Sequence, residues 1–215
     1  MSILLLAAAF VLAVYAVFLF GIDEGQRAIY RKHISEALVI EALDRAVPMP
    51  FHILNNVTLR STGSSIPTTQ IDHVVVTLQG IFVIETKHYS GQILVNPASP
   101  EWHQVLGRRE IRFRNPVLQN YGHVRELGRV LNLGSGAFVN LVVFTGRAGL
   151  STPCYPNVLS LADLPRYFGI PRPTILSRCA LYDVVGRIEM HRLPRSIETD
   201  EYHVQAIKNW LRKAA

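Results

Sequence analysis

Asp72, Glu85 and Lys87 stand in two β-branched-rich segments separated by Gln79-Gly80, and side chains of these types could hydrolyse a phosphate ester. Two carboxylates supply hard oxygen ligands for Mg²⁺ or Mn²⁺; Mg²⁺ keeps several waters and takes one or two carboxylates beside substrate oxygens. An ammonium group beside them could orient or help deprotonate a water and offset phosphate charge. A strand-end ion pair between Lys87 and one acid is the plainer reading, since such triplets arise readily by chance. Here the charges interrupt an otherwise apolar hairpin, which shifts the balance towards chemistry.

The elements that must position these groups follow from periodicity. Residues 69–77 (TQIDHVVVT) and 81–89 (IFVIETKHY) read as the two strands of a hairpin. Residues two apart share a strand face, so Glu85 and Lys87 point the same way. A two-residue turn at Gln79-Gly80 pairs Leu78 with Ile81, and that register sets Asp72 across from Lys87 and diagonal to Glu85. Opposite and diagonal neighbours lie ~4.5–5.5 Å and ~7–8 Å apart, close enough to share one ion or one water.

Upstream, residues 24–47 read as a helix on which Glu36, Val39, Ile40, Leu43 and Val47 share one stripe. Glu36 either reaches water from the edge of that stripe or points into a site that uses its charge. A strand is expected over residues 52–59. A second helix starts at Asn115-Pro116, with Asn as N-cap and Pro in the first turn. Its expected buried side is Val117, Tyr121, Val124, Gly128 and Leu131, while Gln119 and His123 share a different face and either bind phosphate or substrate backbone or are partly exposed. Just before it, Arg108, Arg112 and Arg114 alternate with Ile111 and Phe113, so in a strand all three fall on one face, as phosphate contacts or as a solvated surface. The tail holds an apolar strand-like piece at residues 180–185 and a closing helix at 198–213.

The 215 residues suffice for one core-bearing domain and an appendage. Residues 3–22 carry no charge, and 20 residues at ~1.5 Å rise span ~30 Å, the thickness of a bilayer's hydrocarbon core. No basic residue precedes this run, and it is longer than a signal-peptide core, so residues 1–22 are expected to be a transmembrane anchor. Arg27, Arg31 and Lys32 follow it, which by the positive-inside bias places the N-terminus outside and the soluble domain in the cytoplasm, as a single-pass protein of the inner or plasma membrane. Cys154 and Cys179 form no metal-type pair and are expected as thiols in that compartment, and the histidines show no zinc spacing. The net charge of +6 and pI near 9.6 suit a polyanion or anionic lipid, without choosing between them.

The strings TQIDHVVV, GIFVIETKHYSG, WHQVLG, FRNPVLQNYGHVREL and VVFTG occur in this order, and together they resemble the nuclease-related domain family, NERD, across roughly residues 32–149. The resemblance implies a PD-(D/E)XK, restriction-endonuclease-like α/β core, a mixed sheet flanked by helices. It implies Asp72, Glu85 and Lys87 as the catalytic trio, and Glu36 as an acid of the first helix that helps Asp72 and Glu85 hold metal. Gln119 and His123 match the family's Gln and His positions. The chain departs from the family where Ser35 and Lys32 stand in place of Gly, and where His88 stands in place of Asn.

The division expected is an anchor over residues 1–22, a nuclease-related domain over 23–150, and an extension over 151–215 packed on the same domain. Two functions remain open. One is a membrane-tethered, Mg²⁺- or Mn²⁺-dependent nuclease acting on DNA or RNA; the other is a catalytically idle module binding nucleic acid or protein at the membrane.

Overall fold

The computed structural model describes residues 24–61, 63, 65–151 and 155–214. The expected anchor at residues 1–22 and Cys154 lie outside them. Among the described residues no helix is long and apolar enough to cross a membrane.

The fold is mixed α/β, with sheets flanked by helices. Helix α1 (Glu24–Ala46) leads into β1 (Phe51–Arg60), β2 (Thr68–Thr77) and β3 (Gly80–His88). Strands β4 (Gly91–Leu94), β5 (Glu101–Leu106) and β6 (Arg109–Arg114) precede helix α2 (Pro116–Leu131) and strand β7 (Phe138–Thr145). The chain finishes through β8 (Ala148–Leu150), β9 (Val158–Ser160), α3 (Leu164–Gly169), α4 (Arg178–His191) and α5 (Ile197–Ala214). One sheet has the order β1-β2-β3-β7-β9 and the other β6-β5-β4-β8. In the first, β1 to β3 are antiparallel whereas β3, β7 and β9 run parallel, so the sheet is mixed.

Both faces of the five-stranded sheet are covered, which accounts for its continuous apolar strands. On one face Val74, Val76, Ile81 and Val83 pack against Val124, Leu127 and Leu131 of α2 and Leu181, Val184 and Ile188 of α4. On the other, Val75, Phe82, Ile84, Leu141 and Val143 meet Val39 and Leu43 of α1 and Phe168 of α3. Each fully buried side chain of this size contributes ~1.5–3 kcal/mol. The four-stranded sheet closes over a smaller cluster with Trp102, Ile93 and Phe144.

Four expectations need correction. The hairpin pairs Thr77 with Gly80 and Val76 with Ile81, so its turn is Leu78-Gln79 rather than Gln79-Gly80. The Thr77 hydroxyl fixes that turn by accepting from the Gln79 N–H at 3.0 Å and donating to the Gly80 carbonyl at 3.1 Å. Gly80 takes φ +133°, open to glycine alone at low cost, and opens β3. The register therefore moves by two residues, which preserves side-chain parity from His73 to Thr77; the ladder ends at His73–Ile84, so Asp72 pairs with neither Lys87 nor Glu85.

The second correction concerns residues 180–185, which lie inside α4 rather than in a strand. Leu181, Val184 and Ile188 recur at helical spacing, and Ser177 caps the helix by accepting from the Ala180 N–H. Third, α2 is rotated from the expected face: Tyr121 is exposed, while Asn120 and Leu127 are buried. The Asn115-Pro116 start is as expected, with Asn115 Oδ1 accepting from the Val117 and Leu118 N–H groups. Fourth, Arg108 falls in the two-residue turn between β5 and β6, so it does not share a strand face with Arg112 and Arg114.

Candidate functional site

Glu85 and Lys87, two apart on β3, present their side chains to α2. Lys87 Nζ donates to Glu85 Oε1 at 2.6 Å and to Gln119 Oε1 at 3.1 Å, and Gln119 Nε2 donates to the same Glu85 oxygen at 2.7 Å. His123, one helical turn beyond Gln119, brings Nε2 to 3.4 Å from Glu85 Oε2, while its Nδ1 meets Thr69 Oγ1 at 2.6 Å. Gln119 and His123 thus lie against the acid rather than on a solvated helix face. Burial works to raise the Glu85 pKa, but Lys87 and then His123 overcome it and hold the carboxyl below its ordinary range. For Lys87 burial works downward, and Glu85 more than reverses it, so the ammonium stays charged at neutral pH.

Asn120 anchors this arrangement from behind, and sequence reasoning missed it. The two N–H groups of its fully buried amide are shared among three acceptors, the carbonyls of Val83 and Leu141, which it bridges from β3 to β7, and Asn140 Oδ1. A polar residue between two apolar helix positions was the available signal.

Asp72 sits where the strand alternation slips. Val74 and Ile71 belong to one core cluster despite their odd separation, as do Leu54 and Val57, and Asn56 between the latter two has φ +51°. The regular β2–β3 ladder stops at His73 and Ile84, and Asp72 Oδ2 accepts from the Thr86 N–H at 2.9 Å. The carboxylate has taken the place of a ladder carbonyl. Behind it His73 bonds Asn55 and Thr86, and burial lowers its pKa to about 4, so its ring is neutral.

From the other side α1 supplies Lys32, Ser35 and Glu36. Lys32 Nζ is 3.4 Å from Glu36 Oε1 and 3.8 Å from Asp72 Oδ1. Glu36 is only 4% exposed and its Oε1 has no hydrogen bond, so it does not reach water from the stripe edge. Ser35, also buried, folds its hydroxyl back onto the Lys32 carbonyl at 2.7 Å, which satisfies it within the helix. Burial and the negative charge of Glu85 raise the Asp72 pKa to about 7, with Lys32 and the Thr86 N–H acting against them. Two adjacent acids are thereby pushed apart in pKa.

A cavity of about 870 Å³ opens over Asp72, Glu85 and Lys87. Arg31, Arg114, His123, Arg125 and His203 also line it, so its walls carry basic groups from α1, β6, α2 and α5. Arg114 is the one member of the expected arginine trio that reaches this wall; Arg112 and Arg108 are exposed farther along the β5–β6 hairpin. His88 bonds Thr145 beside the site.

Among the described residues no three His, Cys, Asp or Glu side chains form a preformed metal cluster. The donor set still suits a hard divalent ion, because the buried Glu36 Oε1 lacks a hydrogen bond and Asp72 Oδ1 and Glu85 Oε2 have only long contacts. An ion of the Mg²⁺ type needs no more than one or two carboxylates.

A mixed sheet flanked by helices, with a buried Asp and Glu and a partly buried Lys at the end of its central hairpin, is the arrangement of the PD-(D/E)XK class. The family model for the nuclease-related domain matches residues 31–145, and the chain belongs to that family, NERD. An uncharacterised protein of Bacillus anthracis is 35% identical over 107 residues, covering 46% of this chain and 50% of the relative. The chain spans about half the length of that relative. No solved structure matches this chain.

Proposed function

We propose that the chain is a divalent-metal-dependent nuclease that hydrolyses phosphodiester bonds in DNA or RNA and works at a membrane. The observation that carries this reading is the Glu85–Lys87 contact of 2.6 Å, which holds a buried acid and a charged ammonium side by side at the floor of a basic-walled cavity. In this reading Asp72, Glu85 and Glu36 hold Mg²⁺ or Mn²⁺, which supplies electrophilic stabilisation of the charge that grows on the phosphate. Lys87, kept protonated by Glu85, acts as a fixed cation for that charge rather than as a base. Gln119 and His123 fix the Glu85 carboxylate, and Gln119 also fixes the Lys87 ammonium. Arg114 binds the backbone at the cavity wall, and Arg112 and Arg108 extend that contact outward, giving salt-dependent, sequence-independent binding.

Residues 1–22 are proposed as the single-pass anchor, with residues 23–150 as the nuclease-related unit and 151–215 packed on it in the cytoplasm. Support comes from the uncharged run at residues 3–22 and the basic residues after it. A reporter fused after Ala215 should be cytoplasmic, and the chain should stay with membranes through a high-salt wash; release by salt would end the anchor reading.

A catalytically idle module that binds nucleic acid or protein is the second reading. It is favoured by the way Lys32 and Lys87 already neutralise the acids. An activity panel on circular DNA, linear DNA and RNA, with Mg²⁺, Mn²⁺ or EDTA, separates the two. Metal-dependent cleavage lost in Glu85→Gln supports the enzyme, and binding without cleavage supports the module.

A further inference from the structure

We infer that Lys32 is a tethered counter-cation that competes with divalent metal for Glu36 and Asp72, and so limits how many ions the acidic site takes and how tightly. This rests on the nuclease reading of the site, since it concerns the same carboxylates.

Lys32 and Glu36 are four apart on α1, which places them on one helix face. The ammonium also reaches Asp72 across the gap between helix and sheet, so one cation lies between two buried carboxylates from different elements. Neither contact is a good hydrogen bond: Glu36 Oε1 remains without one, and the separations of 3.4 and 3.8 Å are those of an ion pair held by charge. The Lys32 side chain is half exposed, at 51%, so it can swing out without breaking any core packing. Lys87 differs in each respect, being hydrogen-bonded to both Glu85 and Gln119 and mostly buried.

Three carboxylates in one site repel each other unless cations lie among them, and Lys87 makes its direct contact at the Glu85 end, acting on Asp72 only from a distance. Lys32 supplies the missing charge at the Glu36–Asp72 end and stands where a second cation would be drawn. The charged and titratable groups acting on Lys32 are Glu36, Asp72 and Glu85, with His203 of α5 on the far side. An ion that engages Glu36 must displace the ammonium, and the half-exposed stem gives it somewhere to go.

Calorimetric titration of the full-length chain with Mn²⁺, comparing wild type with Lys32→Met, Lys32→Gly and Lys32→Arg, tests this. The Met and Gly variants should bind Mn²⁺ at least ~10-fold more tightly or take one additional ion, while Arg keeps the wild-type isotherm. In EDTA their thermal midpoints should fall, and Mn²⁺ should restore them by more than it raises the wild type. That recovery is the readout a purely packing role for the stem would not give. Unchanged affinity and stoichiometry in Lys32→Met, or a lowered midpoint that Mn²⁺ does not restore, would overturn the inference. Failure of the nuclease reading looks different: wild-type and Glu85→Gln proteins would then titrate alike, whatever Lys32 does.

Discussion

The two halves of the site are built to different standards. On the α2 side Glu85 is hydrogen-bonded by Lys87 and Gln119, with His123 Nε2 3.4 Å from its other oxygen, and Asn120 ties the helix to the sheet behind them. On the α1 side Glu36 and Asp72 share one loosely held ammonium; the buried Glu36 Oε1 has no hydrogen bond, and on the α2 side the buried His123 Nε2 and Asn120 Oδ1 have none either. The difference teaches where order precedes the ligand and where it awaits one. The Glu85 half is preorganised, with its charge state fixed by direct bonds. The Asp72 half stores an electrostatic cost that a cation would relieve.

The largest effect expected from breaking this comparison is at the acids. Glu85→Ala and Asp72→Ala should each lower single-turnover cleavage by ~10³-fold or more, and both should weaken metal binding by calorimetry, because each removes a direct oxygen ligand. Lys87→Met should lose cleavage by ~10²–10³-fold while metal binding is kept or tightened, since it removes a cation and not a ligand. A Lys87 variant that loses metal and cleavage together would erase the distinction between the halves.

The stored cost at Asp72 gives a stability test with a definite sign. Its folded pKa is raised from 3.8 to about 7, so the folded protein favours the neutral acid. That contribution is fully present below the unfolded pKa, shrinks as pH rises, and is gone above about 7. Asp72→Asn, which stays neutral, should therefore stabilise the metal-free protein by a margin that grows from pH 4 to pH 7 and then levels, on the order of 2–4 kcal/mol. Thermal unfolding in EDTA across that range reads it out. A flat difference would show that Asp72 carries no such strain.

Smaller effects are expected at the rim. Arg114→Ala and Arg112→Ala should weaken binding to DNA or RNA of any sequence and reduce the slope of log affinity against log salt by ~1 each, with cleavage at saturating substrate nearly unchanged. Arg108→Ala, in the hairpin turn and farthest out, should change the slope least. Equal losses at all three would mean that the β5–β6 hairpin lies along the nucleic acid over its whole length.

Much of this was legible in the chain. The two β-branched runs, the Asn115-Pro116 cap and the stripe on α1 announced the hairpin and both helices that frame the site, because each is a local signal. Register was harder. Parity follows from alternation alone, but the choice between Leu78-Gln79 and Gln79-Gly80 depended on the Thr77 hydroxyl bonding across the turn. The rotation of α2 that buries Asn120 and exposes Tyr121 is tertiary, set by the carbonyls of β3 and β7 that the amide must meet. Residues 180–185 were misread because a short apolar run fits a strand as well as a helix, and the deciding Ile188 lies beyond it. Lys32 was visible as a departure from the family, yet only the structure shows which carboxylates it joins.

The central claim is that Asp72, Glu85 and Lys87 cut phosphodiester bonds with a divalent ion. Its most direct test is single-turnover cleavage of end-labelled DNA and RNA by the full-length chain in Mg²⁺ or Mn²⁺, with Glu85→Gln run in parallel. Wild type should shorten at least one polymer, lose that activity in EDTA, and leave the Glu85→Gln reaction at background. No shortening of either polymer with any divalent ion, or equal shortening by both proteins, would contradict it.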